Sequence, residues 1–72
     1  MKANTAVKSI MGVKHITQAD LTTMLNMKNQ SSISGVLNRD MKTSTLVKFL
    51  SVLNCELIIK DPSTGEEYTI TE

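Results

Sequence analysis

The stretch Ile16-Thr17-Gln18-Ala19-Asp20-Leu21-Thr22-Thr23-Met24-Leu25-Asn26-Met27-Lys28-Asn29-Gln30-Ser31-Ser32-Ile33-Ser34-Gly35-Val36-Leu37-Asn38 decides the fold, and it divides into two short helices joined by a turn. The first amides of a helix lack partners; Thr17 can accept from one of them, while Asp20, three residues on, accepts from the Thr17 amide. Ile16 and Leu21 flank that reciprocal cap as a hydrophobic staple. Leu21, Met24 and Leu25 follow at spacings of three and four and share one face. Asn26 tolerates left-handed backbone and stops the helix. Asn29 caps the second helix, where Ile33, Val36 and Leu37 repeat the apolar spacing.

The other face of the second helix carries Gln30, Ser31, Ser32, Ser34 and Gly35, where an ordinary solvent-facing helix would carry Lys and Glu. Small uncharged groups allow close approach to a surface of donors and acceptors, such as the base edges of the DNA major groove. Gln30, Ser31 and Ser34 are the candidates for base contact, since a Gln amide can pair bidentately with adenine. The plainer reading is a polar helix surface. Lys28, Asn29, Arg39 and Lys42 flank this helix and are candidates for the DNA backbone, as is Ser32. Taken singly, each cation reads equally well as a solvated surface charge.

The stretch resembles the helix-turn-helix of the Cro and phage-repressor family, the lambda-repressor-like or XRE-type regulators. The resemblance rests on Gln18 opening the first helix, on Leu21, on the Leu25-Asn26-Met27 turn, on Gln30 to Ser34, and on Leu46 to Leu53 as the closing helix. It covers roughly Val7 to Cys55. Thr22 stands where the family usually has Ala and Asn26 where it usually has Gly, and the turn is one residue longer, with Lys28 or Asn29 as the extra residue. The resemblance implies phosphate contact from Thr17 and Gln18, where free amides and the helix dipole favour an anion. It also implies a bacterial, phage or mobile-element setting.

The 72 residues make one small domain, which buries little more than half of the surface its unfolded chain exposes. A second copy is one route to more burial, so a homodimer is expected. Net charge is only +1, but it is unevenly spread. Residues 1–48 hold seven cations against two carboxylates, +5, and residues 49–72 hold one cation against five carboxylates, −4. A basic front and an acidic back orient the molecule towards phosphate. No run is long enough to cross a membrane and no signal-peptide core precedes Thr17, so a cytoplasmic location is expected.

Outward from the motif, Met1 to Asn4 reads as a frayed end. From Thr5, Ala6, Val7, Ile10 and Met11 mark a short helix that Gly12 can end, with Lys8 and Lys14 within reach of phosphate. Beyond Asn38 a loop carries Arg39 and Lys42 back past the second helix. Thr43 or Ser44 can cap the next helix, whose stripe is Leu46, Phe49, Leu50 and Leu53 and whose stop is Asn54. The period then falls to two. Cys55, Leu57 and Ile59 alternate with Glu56, Ile58 and Lys60, and Tyr68 and Ile70 follow after the turn residues Asp61-Pro62-Ser63-Thr64-Gly65.

The expected fold is mainly α: a compact four-helix lambda-repressor-like helix-turn-helix domain over residues 5–54, closed by a C-terminal β-hairpin over 55–72. Leu57 and Ile59 can face the helices while Ile58 points away. An isolated hairpin is marginal, so Leu57, Ile58, Ile59, Tyr68 and Ile70 are a candidate dimer interface, with the last helix as the alternative.

His15 and Cys55 have no convergent partners for a metal or catalytic site, so His15 reads as a surface or capping residue and Cys55 as packing. Met11, Met24, Met27 and Met41 read as gap-filling core. No nucleophile with an adjacent base, paired-carboxylate site or phosphate-binding loop is apparent; neither enzymatic activity nor a cofactor or metal is expected. The expected function is sequence-specific binding of double-stranded DNA by a homodimeric transcriptional regulator, a repressor of a palindromic operator. The alternative is a helix-turn-helix protein-interaction module, such as an antitoxin or an antirepressor partner.

Overall fold

Both halves of the Thr17 cap form: Asp20 N donates to Thr17 Oγ1 at 3.1 Å, and Thr17 N donates to Asp20 Oδ2 at 2.9 Å. The computed structural model describes residues 1–71. These fold as α1 (Ala3–Lys14), α2 (Gln18–Met24), α3 (Gln30–Leu37), α4 (Thr43–Val52), β1 (Leu57–Lys60) and β2 (Glu67–Ile70). The mainly helical fold with a terminal antiparallel hairpin is the one expected.

Each of three helices ends in the same way, with one non-glycine residue in the left-handed region: His15 at φ 56, Asn26 at φ 57 and Asn54 at φ 60. In each case the next amide reaches back five residues: Ile16 to Met11 O, Met27 to Thr22 O and Cys55 to Leu50 O, at 2.8 to 2.9 Å. That bond satisfies a carbonyl left over by the helix and brings Ile16 onto Met11 and Cys55 onto Leu50. Asn26 and Asn54 stop their helices as expected, and His15 is a cap. Gly12, the expected stop, lies inside α1 with open space about it. The reason is hydrophobic: ending at His15 lets Ile16 pack on the core.

Left-handed backbone costs an L-residue about 1–2 kcal/mol and glycine much less. His15→Gly is therefore expected to stabilise the fold by about 1 kcal/mol, a rise of about 4–8 °C in Tm for a domain of this size. Thermal unfolding followed by circular dichroism checks this; no rise would mean that the imidazole contributes contacts of its own.

Other boundaries also move. The N-terminal end is not frayed from residue 3 onward, because Asn4 Nδ2 donates to Leu37 O at 3.0 Å and ties α1 to the end of α3. Neither Thr43 nor Ser44 caps α4; both lie within its first turn, and Lys42 is the flanking residue with no side-chain cap.

The core is Val7 and Met11 from α1, Leu21 from α2, Ile33 and Leu37 from α3, and Phe49 and Leu53 from and just after α4. Leu25, Val36, Met41, Leu46 and Leu50 pack around it. Of the four methionines read as core, Met11 is buried and Met41 partly so, but Met24 and Met27 are exposed. Leu21 and Leu25 already occupy the inward side of the short α2, and the turn at Asn26 carries Met27 outward.

In the hairpin, Leu57 faces Ile70, Ile58 faces Thr69, Ile59 faces Tyr68 and Lys60 faces Glu67. The turn is held by Asp61, whose Oδ1 accepts from the Ser63 amide and hydroxyl at 3.0 and 2.7 Å, with Gly65 at φ 76. Leu57 and Ile70, paired at the base of the hairpin, are half-buried. Ile59, expected to face the helices together with Leu57, is 58% exposed, because it stands two residues nearer the hairpin tip, where burial along both strands has already been lost. The strands are also shorter than the alternation suggested: Cys55 and Glu56 precede β1, and Thr71 follows β2.

Candidate nucleic-acid interface

α3 is held by Ile33 and Leu37, both fully buried. Successive residues of an α-helix turn by about 100°, so Ser31 and Gly35, one turn apart, lie furthest from that buried stripe. Gln30 and Ser34 form the neighbouring row; Gln30 is exposed and Ser34 half-buried. The three candidate base contacts thus share one side of the helix. Gly35 belongs with them, at the centre of the exposed surface, and a Cβ there would meet nothing within 4 Å. Its signal in the sequence was its position four residues after Ser31.

Asn29 organises the N-terminal end of α3. Its Oδ1 accepts from the Ser32 amide at 3.1 Å, the Ser31 hydroxyl at 2.6 Å and the Ser32 hydroxyl at 3.2 Å. Both hydroxyl protons are directed at Asn29, so each serine has only lone pairs left to offer. Donation from Ser32 to a phosphate requires its hydroxyl to turn away from Asn29. The Asn29 amide nitrogen keeps its donors.

Lys28 lies just before α3, and Arg39 and Lys42 follow it; all three are exposed. With eight residues, α3 is roughly 12 Å long, comparable to the width of the major groove. Lys8, read as a phosphate ligand, instead donates to Asn38 Oδ1 at 2.9 Å and braces α1 against the end of α3.

The start of α2 is occupied by its own cap. The Thr17 amide donates to Asp20 and its hydroxyl oxygen accepts from Asp20 N, so the Thr17 amide is not free for phosphate. The Asp20 carboxylate also stands at the same helix end and opposes an anion. Gln18 is half-buried beside it, its carbonyl accepting from the Thr22 hydroxyl at 2.8 Å. That bond satisfies the polar group of Thr22 within its own helix.

The Thr17 amide, and then its hydroxyl, hold the Asp20 carboxyl below the usual carboxylate range. The side chain and amide of Ser63 do the same for Asp61. A depressed folded-state pKa contributes stability that is fully present above the unfolded value, about 3.9, and is lost as pH falls through the folded one. Asp20→Asn is expected to shallow the acid limb of a stability–pH curve below about pH 4, where Asp61 acts in the same direction. Urea unfolding at pH 7 and pH 3 measures the difference; an unchanged slope would mean that the cap does not persist in solution.

Among the described residues no three His, Cys, Asp or Glu side chains converge on a common point, and no helix is long and apolar enough to cross a membrane. The chain matches no protein-family model, no curated protein and no solved structure. Fold and site together define a class, a four-helix protein with a capped, small-residue helix face and a terminal hairpin.

Proposed function

We propose that this protein is a sequence-specific double-stranded DNA-binding regulator, acting as a homodimer that lays α3 in the major groove of a palindromic operator. One observation carries the reading: the exposed face of α3 is small and uncharged, while Lys28, Arg39 and Lys42 stand free at its two ends. Cations neutralise phosphates and supply sequence-independent affinity; uncharged amides and hydroxyls read base edges. Gln30, at the first position of α3, reads adenine through its amide. Ser31, with its proton engaged by Asn29, accepts from an exocyclic amino group of adenine or cytosine. Repression by occluding a promoter is the simplest mechanism.

A twofold dimer must hold its two copies of α3 about 34 Å apart to read one face of DNA. Selection from a random duplex library at near-physiological salt tests the reading. A palindrome with half-sites about one turn apart is the expected product. No enriched sequence, from protein shown to be folded, would move the function to the second reading, a protein-interaction module. The exposed Ile59 and Tyr68 on the acidic hairpin are the observation that favours that reading.

A further inference from the structure

The hairpin presents one apolar face, Leu57, Ile59, Tyr68 and Ile70, and only its base is covered. Ile59 and Tyr68 are 58% and 56% exposed on the same side as the helical body but beyond it. Two-stranded hairpins without support are marginal in water. Among the described residues β1 and β2 pair only with each other, which leaves the outer edge of β1 unpaired.

An apolar groove of about 360 Å³ opens beside that edge, lined by Ala6, Ile10, Leu46, Leu50 and Leu57 and by no residue of β2. It lies under the base of β1, whereas the uncovered Ile59 lies near the tip. Antiparallel pairing of two β1 edges brings the tip of each over the base of the other.

The register follows from hydrogen-bond alternation and charge. Asp61 donates to Glu66 O across the hairpin at 2.9 Å, so Asp61, Ile59 and Leu57 direct their backbone groups at β2. Glu56, Ile58 and Lys60 direct theirs outward. Outward groups must meet outward groups, which excludes registers shifted by one residue. A twofold axis at Leu57 would set Glu56 against Ile58. An axis at Ile59 would set Glu56 against Pro62, which has no amide to donate. An axis at Ile58 sets Glu56 against Lys60 twice, Ile58 against itself, and Leu57 against Ile59. The outer edge of β2 offers no such match, since Glu67 would meet Thr71.

We infer that two copies of this chain join through β1 in an antiparallel register centred on Ile58, forming a four-stranded sheet in which Ile59 of each enters the other's Ala6–Ile10–Leu46–Leu50 groove. Two Glu56–Lys60 pairs flank the axis on the opposite face of the sheet. The inference takes the homodimer from the proposed function and nothing from its DNA.

Sedimentation equilibrium without DNA tests it with three variants at exposed positions, Glu56→Lys, Lys60→Glu and the double exchange. The parent chain sediments as a dimer. Each single reversal faces like charges at two symmetric places and raises the dissociation constant on the order of tenfold, and the double exchange restores it. Ile58→Lys sets two ammonium groups together at the axis and abolishes the dimer. A monomeric parent, or a dimer indifferent to all these changes, overturns the interface. A chain that dimerises this way yet enriches no duplex sequence loses the regulator reading alone. One that enriches a motif while sedimenting as a monomer loses this interface alone.

Discussion

Leu21→Ala is expected to destabilise the fold by about 2–5 kcal/mol, the cost of deleting a buried leucine and leaving a cavity. Leu21 has no exposed surface and belongs to the buried cluster of Val7, Met11, Ile33, Leu37, Phe49 and Leu53, with α2 packed chiefly on α3, so its truncation opens a space inside the core. A domain of 72 residues has about 4–11 kcal/mol of stability in all, so the loss is a large fraction of the total. Urea unfolding of parent and variant gives the difference directly. Val13→Ala is the control: Val13 is 73% exposed on α1, and its truncation should change stability by no more than about 0.5 kcal/mol. Equal effects from the two substitutions would mean that α2 does not pack as described.

Gln30→Ala is expected to weaken binding to the selected operator by about 1–3 kcal/mol, roughly five- to 150-fold, and to relax preference at one base pair. Gln30 is exposed at the first position of α3 and touches none of the cap around Asn29, so folding is unaffected. Arg39→Ala and Lys42→Ala have the contrasting signature. Each weakens all duplex sequences together and lowers the slope of log affinity against log salt by about 1. Titrations of operator and scrambled duplex at two or more salt concentrations separate the two kinds of contact. If Gln30→Ala left base preference intact, the docking assigned to α3 would be wrong; an unchanged salt slope for both cation variants would remove phosphate from their roles.

Local chemistry was legible in the chain. The Thr17–Asp20 box, the Asn29 cap and the Asp61 turn each depend on residue types a few positions apart, with their hydrogen bonds closing over two or three residues. The buried pair Ile33 and Leu37 follows from helical period, and so does the polar row of Gln30 and Ser34 between it and the exposed Ser31 and Gly35. Sequence reading also separated the basic front from the acidic back.

Elsewhere competition between alternatives was settled by distant partners. Gly12 offered a stop for α1, but the helix runs on to Lys14 and ends at His15, because Ile16 then reaches the core. Met24 fits the apolar spacing of α2 yet remains 43% exposed, since a seven-residue helix has room for little more than Leu21 and Leu25 on its inner side. Asn4 and Leu37 are 33 residues apart in sequence, and nothing near Asn4 announces a bond to the last carbonyl of α3. The engagement of Lys8 by Asn38 is of the same kind.

By itself the sequence determined the four helices, the Thr17–Asp20 and Asn29 caps, the stops at Asn26 and Asn54, the hairpin and the polar face of α3, because these depend on backbone groups and side chains within one or two turns of each other. Only the tertiary structure decided which cations stand free, which methionines are covered, and that Ile59 and Tyr68 overhang the helical body. Those outcomes depend on where one helix ends over another, a distance set by packing that no local pattern encodes.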